Sequence, residues 1–409
     1  MNEPRLSIAL LHYSAPPVVG GVESVLAQHA RLMAAAGHDV RIVAGRGDPA
    51  SLPVPFVHLP LMDSRHPRVE ILKAALDAGR PPPDLEPLTS ELDALLAEAL
   101  APVDVVIAHN VCSLHKNLAL TAALHNLQRS GALRRLILWH HDLAWTTPRY
   151  QSELHPGYPW DLLRTDWGAE HVVVSATRRL ELAQLLRIPV EQITVVPNGI
   201  DAARLLKLEP ESLDLIHRLH LDRADPILLL PVRLTPRKNI ELALRVLAEL
   251  RRACPEAALI VTGPPGPHNP ANAGYFERLL ALRGELRLED AAHFLAEVRE
   301  GFLPDEVIAD LYQIADLLFL PSKEEGFGIP LLEAAFHRLP VFCADIPVLR
   351  ELGGGEVAYF GLDDEPQAIA GRLLERLRSY PDHTLRARAW RHSTWEAVYA
   401  RCIVPLIER

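Results

Sequence analysis

A chain of 409 residues is too long for one ordinary hydrophobic core and divides by size into two domains of roughly 150 to 200 residues each. Its 49% hydrophobic and 23% charged residues are the balance of a globular protein. A formal net charge of −10 argues against nucleic acid as a default partner, because a phosphate backbone rewards a basic surface, and gives no support to a general polybasic membrane anchor.

The four cysteines, Cys112, Cys254, Cys343 and Cys402, form no CxxC pair. They read as small buried hydrophobes in a reducing compartment, not as a metal site or a disulfide framework. The start, MNEPRLSIALLHYS, has an early acidic residue and no long apolar run before a cleavage site. It reads as a first strand and not a signal peptide. No run of about 18 apolar residues occurs, so no membrane-spanning helix is expected and the chain is read as cytoplasmic.

Short apolar runs alternate with longer amphipathic stretches, the pattern of βα units around a mostly parallel sheet. In the first half the expected strands are LSIALLHY, DVRIVAG, VDVVIAHN, LRRLILWHH, HVVVSA and ITVVPNG. Helical patterns such as GVESVLAQHARLMAAAG and KNLALTAALHNLQRSG lie between them and end in glycine. The second half offers PILLLPVR, ALIVTG, AHFLAEV, LLFLPS and LPVFCA. The pattern predicts an α/β fold of two doubly wound lobes, over 1–203 and 204–385. A terminal helical segment over 386–409 is expected to pack back across the first lobe. LMDSRHPRVEILKAALDAGRPPPDLEPLTS, with its proline cluster, reads as an irregular excursion, and GPPGPHNPANAGYFERLL as a long loop entering a helix.

In such sheets ligands bind outside the carboxyl ends of the strands, so residues just after strands carry the information. After the first strand, Gly20 and Gly21 open a helix, either as a simple turn or as a close approach to a ligand. After PILLLPV come Arg233 and Lys238 at a helix N-terminus, where cations oppose the helix dipole unless an anion such as a diphosphate is held there. Arg237 is a third member of that turn. After LLFLPS comes EEGFGIPLLEAAF. Gly326 and Gly328 permit an unusual backbone path, Pro330 suits the first helical turn, and the N–H groups of Leu331 and Leu332 are expected to be free donors for a phosphate oxygen. Glu325 precedes that anion site. Glu333 sits on a helix that reads as buried, flanked at helical spacing by Ile329 and Phe336. It is explained either by the hydroxyls of a ribose or by an arginine inside the core. After LILW come His140 and His141, of which a strand points only one to the cleft. His109 and Asn110 end another strand with the same ambiguity. No catalytic triad, clustered metal ligands, Walker loop or full nicotinamide-binding glycine pattern is present.

Taken together, GGVE, HHD, VVPNGID, RLTPRKN and, above all, EGFGIPLLEA followed by LPVFCADIPVLREL resemble the retaining glycosyltransferases of the group 1 type, family four. Two glutamates separated by seven residues are that family's hallmark, STWE looks like the start of its C-terminal crossing helix, and the resemblance spans nearly the whole chain. It implies the GT-B fold of two Rossmann-like lobes, with a nucleotide diphosphate sugar in the second lobe and the acceptor in the first. By resemblance Arg233 and Lys238 hold the diphosphate and Glu333 the ribose. Glu325 with Gly326, Phe327 and Gly328 holds the sugar hydroxyls. Gly20 and Gly21 approach the diphosphate, His141 reaches the sugar and the reacting centre, and the base lies near Val298. The family's glycine after FL is Ala296 here, and TGPPGPHNP is longer and richer in proline than the usual turn.

The resemblance implies a metal-independent hexosyl transfer without a cofactor, from a uridine or guanosine diphosphate sugar, glucose or mannose, to a sugar, lipid or small-molecule acceptor. A lipid acceptor would require peripheral contact at the inner membrane face. Alternatives on the same architecture are a phosphorylase, a sugar-nucleotide epimerase, or a non-catalytic nucleotide-sugar-binding subunit.

Overall fold

Runs such as Ile-Leu-Leu-Leu have no polar face to turn outward, so they form strands covered on both sides by helices. The structure, a computed structural model, describes residues 5–264, 271–299, 301–379 and 381–409, without the side chains of 271–273 and 381–383. The first sheet contains β1 (Ser7–His12), β2 (Asp39–Ala44), β3 (Phe56–His58), β4 (Val105–His109), β5 (Leu136–His140), β6 (Glu170–Val173) and β7 (Ile193–Val195). Its order is β3-β2-β1-β4-β5-β6-β7, with every pairing parallel. The second contains β8 (Ile227–Leu230), β9 (Ala258–Val261), β10 (Ala292–Phe294), β11 (Leu317–Leu320), β12 (Val341–Ala344) and β13 (Ala358–Phe360). Its order is β10-β9-β8-β11-β12-β13, again all parallel. Strands β4, β5, β8, β9, β11 and β12 are buried along their whole length.

Two compact units result, one of 1–200 with Trp395–Arg409 and one of 201–394. The returning segment therefore starts at Trp395, nine residues later than the sequence pattern suggested. The Pro381–His392 helix belongs to the second unit, where buried Arg391 donates to the Ala224 carbonyl and to Asp316. Trp395 packs onto Gly199, where a Cβ would come within 2.6 Å of the indole, and its N–H donates to the Ile200 carbonyl at 3.2 Å. Arg135 then fastens the chain's end by donating to the carbonyls of Leu406 and Ile407.

The proline-rich excursion is more regular than expected, since it contains the helices Pro67–Asp77 and Leu85–Leu100. His66 caps the first by accepting from the Arg68 N–H, Pro67 suits its first turn, and Val69, Leu72 and Leu76 are buried at helical spacing. Of the expected proline-rich loop, 265–270 lies outside the described residues, and the helix it enters is Ala271–Glu285. No described helix is long and apolar enough to cross a membrane.

Candidate functional site

In the second unit β8 and β11 are neighbours, and the chain leaves them toward opposite edges of the sheet, to β9 and β10 on one side and to β12 and β13 on the other. That reversal opens a crevice at the carboxyl ends of these two strands. From β8 the chain runs through Arg233 to a tight turn, Pro236–Lys238, then through Asn239 at φ 52° into the Ile240–Leu250 helix. From β11 it runs through Ser322 to Glu325. The two loops are tied where the Lys323 N–H donates to the Arg237 carbonyl at 2.8 Å.

Across this junction the Lys238 ammonium donates to Glu325 Oε1 at 2.6 Å, with the two side chains only 10% and 7% exposed. The fold thus joins directly two residues that the sequence assigned to diphosphate and to sugar hydroxyls. An ion pair this enclosed needs further hydrogen-bonding partners to offset its desolvation. The ammonium has two more N–H groups and the carboxylate a second oxygen. The loop after β9 runs close against the one after β8, because a Cβ on Gly263 would come within 2.4 Å of the Val232 carbonyl oxygen.

Gly328 opens the Ile329–Phe336 helix at φ +90°, a conformation suited to glycine, and a Cβ there would meet Leu349 at 2.9 Å. Gly326 has open space around it, and Phe327 is exposed. One expected donor is corrected, because the Leu331 N–H is taken by the Gly328 carbonyl at 2.9 Å and its side chain is buried; Leu332 is on the exposed side of the same turn. The helix itself is less buried than its composition suggests: Ile329 and Phe336, beside Glu333, are 59% and 90% exposed. Among the described residues Glu333 is not paired with an arginine. Its Oε2 accepts from the hydroxyl of Tyr312, a fully buried residue of the Asp305–Ile314 helix, at 2.6 Å.

Two expected members have contacts of their own. Arg233 is exposed, with its guanidinium 5.4 Å from the centre of the Phe302 ring. Val298 lines a recess of about 300 Å³ against the Pro210–Arg218 helix, together with Glu211, Asp214 and Leu215.

In the first unit the corresponding reversal lies between β1 and β4. Gly20, in extended conformation, precedes the Gly21–Ala35 helix, and a Cβ on it would fall 2.1 Å from Glu23 Oε2; Gly21 has open space. Glu23 accepts from the Ser14 hydroxyl at 2.6 Å. His12 Nδ1–H donates to the His109 carbonyl at 2.8 Å, binding β1 to β4. Asn110, at φ 58°, turns its side-chain oxygen back to accept from the N–H groups of His141 at 2.7 Å and Asp142 at 3.2 Å.

That turn distinguishes the paired histidines. His140 has both ring nitrogens engaged, Nε2 with His171 Nδ1 at 3.0 Å and Nδ1 beside the Cys112 thiol at 3.8 Å. His141 uses only Nε2, 3.0 Å from His109 Nδ1, and its Nδ1 has no protein partner among the described residues.

Burial lowers the pKa of every histidine in this group. His12 falls to about 4, His29 and His141 to about 3, and His109 and His140 well below the ordinary value, with neighbouring histidines adding to the effect for all but His12. They are neutral near pH 7. The unfolded chain takes up protons below about pH 6.5 that the folded protein refuses, so their contribution to stability is complete above that pH and is lost as pH falls toward 4. The urea midpoint should therefore drop between pH 7 and pH 5, at more than the slope of one proton, about 1.4 kcal/mol per pH unit. A flat profile would contradict the burial of these rings as neutral groups.

Among the described residues, Asp77, His115 and Glu153 form the one group with the spacing of metal ligands. Its charge is already met by Lys73, whose ammonium lies 2.5 Å from Asp77 and 3.2 Å from Glu153. The group ties the Pro67–Asp77 helix to Glu153 through Lys73 and is a feature that the sequence reading, which saw no clustered metal ligands, missed. Cys112 and Cys343 are buried and Cys254 and Cys402 half-buried, all four as free thiols.

Residues 19–204 match the family described as Glycosyltransferase Family 4, and residues 214–389 match Glycosyl transferases group 1. The chain belongs to the group 1 glycosyltransferases of the family 4 type. Among relatives of this glycosyltransferase, MMP alpha-(1->4)-mannosyltransferase of Mycolicibacterium hassiacum is 27% identical over 97% of both chains. Mannosylglucosylglycerate synthase of Petrotoga mobilis is 24% identical over 61% of each. D-inositol 3-phosphate glycosyltransferase of Thermobispora bispora is 32% identical over 56% of this chain and 54% of its own. The matched stretches thus span less than two thirds of the last two relatives. The fold is GT-B, with one Rossmann-like parallel sheet in each unit.

Proposed function

We propose that this glycosyltransferase moves a hexose, with retention of configuration, from a nucleoside diphosphate sugar bound by the second unit to a hydroxyl acceptor bound by the first. The observation that carries this reading is the enclosed Lys238–Glu325 pair at the strand reversal, beside the glycine turn that opens the Ile329–Phe336 helix. Breaking a sugar–diphosphate bond builds negative charge on the leaving oxygens and positive charge at the anomeric carbon. Lys238, Arg233 and the helix N-terminus stabilise the first. Glu325, with an oxygen to spare, positions sugar hydroxyls and faces the second. Glu333 takes the ribose.

Because the leaving oxygen can itself accept the acceptor's proton on the same face, the scheme needs neither a protein nucleophile nor a metal. Gly20, Gly21 and His141 enter the same reaction through the resemblance of GGVE and HHD, and Val298 is the candidate for contact with the base. Two of the relatives named above are mannosyl-transferring or mannosyl-containing by name, which supports a hexose donor; glucose and mannose, with uridine or guanosine as the base, are the first to try.

The test is a thermal-shift screen of nucleotide sugars followed by a transfer assay with the best donor. Binding of a nucleoside diphosphate sugar, and transfer undiminished by a chelator, are expected. Strict dependence on a divalent ion would overturn the electrostatic account. Phosphorolysis of a glycoside without any nucleotide would replace transfer by phosphorylase chemistry, and binding without turnover would leave a non-catalytic subunit.

A further inference from the structure

Glu333 is a single acidic side chain asked to read a sugar that presents two adjacent hydroxyls. A carboxylate hanging from a helix by two methylenes rotates, and a rotating acceptor distinguishes a ribose poorly from its deoxy forms. In this protein the rotation is stopped. Tyr312, 1% exposed, sends its only O–H to Glu333 Oε2 at 2.6 Å, with the Pro330 carbonyl a distant second acceptor at 3.5 Å. Its ring is held in turn by stacking on His337, with centroids 5.3 Å apart and planes 16° from parallel. Glu333 Oε1 has no protein donor among the described residues and is not one of the buried unpartnered atoms.

We infer that Tyr312 is a specificity-determining positioning residue, which fixes the plane of the Glu333 carboxylate so that its remaining lone pairs accept both hydroxyls of a ribose and select ribonucleotides over deoxynucleotides. The inference rests on the reading of Glu333 as the ribose carboxylate. Three features of the geometry bear it out. The tyrosine hydroxyl has one proton and a charged acceptor for it, the stronger kind of hydrogen bond. Burial, and then the carboxylate itself, raise the phenol far above its usual range, so the proton stays on the tyrosine and the direction of donation is fixed. Finally, a carboxylate has about four acceptor positions, and one donor at Oε2 leaves enough for two hydroxyls.

Tyr312→Phe removes only the hydroxyl and keeps the packed ring. The experiment titrates wild type, Tyr312→Phe and Glu333→Gln with UDP and GDP, with the 2′,3′-dideoxy form of whichever binds, and with inorganic pyrophosphate, which has no sugar. Tyr312→Phe is expected to weaken the ribonucleoside diphosphate about tenfold, as loss of one hydrogen bond to a charged group does. The dideoxy compound and pyrophosphate should stay within about twofold, so that the ribose preference collapses. An equal loss for all three ligands, as a merely structural role would give, overturns the inference, and so does no loss at all. If Glu333→Gln abolishes the ribose preference while Tyr312→Phe leaves it intact, this inference alone fails. If Glu333→Gln leaves it intact, the ribose reading of Glu333 fails first.

Discussion

Replacing Lys238 with alanine should lower kcat/KM for transfer by about two to three orders of magnitude, the usual cost of removing one preorganised donor from a site where negative charge develops. The geometry adds a second effect. Without the ammonium, Glu325 keeps a carboxylate that is 7% exposed and has lost the partner 2.6 Å away. The site then presents a negative charge to a leaving group that is already negative. The unpaired charge should also lower the melting temperature, and a double variant that carries Glu325→Gln as well should recover part of that melting temperature but none of the activity, because Glu325 has its own part in the proposed reaction. Steady-state kinetics with saturating acceptor, accompanied by a melting curve for each protein, check both statements. A folded Lys238→Ala protein with full activity would remove the diphosphate from this position.

The largest expected effect on stability lies at the other end of the second sheet. Arg391 is 6% exposed and reaches three partners: the Ala224 carbonyl through Nε at 2.5 Å, Asp225 at 3.2 Å and Asp316 at 2.6 Å. Asp316 is itself buried and accepts the N–H of Ile227, the first residue of β8, at 2.7 Å. One guanidinium thus ties the Pro381–His392 helix to the start of the central strand. Removing one member of a buried charged pair takes from the other its closest compensating charge, so Arg391→Met should cost the second unit about 3 kcal/mol. Making the neighbour neutral as well, with Asp316→Asn, should recover part of that loss, since a neutral side chain costs less to bury than a carboxylate that has lost its closest cation. Urea unfolding of wild type, both single variants and the double variant measures the coupling. Strict additivity would show that the pair does not act as one.

These two sites also mark how far the sequence could be read. The strands fully covered by helices, such as Ile227–Leu230 and Leu317–Leu320, are legible because uninterrupted apolar runs have no other stable fate. The strands missed were β3 and β13, three residues each at the two sheet edges, where too few residues are present to establish a period. Lys238 and Glu325 were legible as residues following strands, but their direct contact was not, because it joins positions 87 apart through the order of the strands.

Tyr312 escaped because an aromatic in LYQIADLLFL looks like core, and it is core; only its hydroxyl reaches Glu333. Glu333 was singled out for lying on an apolar helix, yet the helix turned out to expose Ile329 and Phe336. Composition records which residues a helix has and is silent about which neighbours cover them. The double histidine could not be told apart in sequence, since His171 and His109, the ring partners of His140 and His141, come from other strands.

The hydrogen bond between Trp395 and Ile200 makes the second unit an insertion whose entry and exit touch. The polypeptide departs and comes home through one doorway, so residues 201–394 form a cassette with adjoining ends. Such a cassette can be exchanged as one piece, because only two peptide bonds join it to its host.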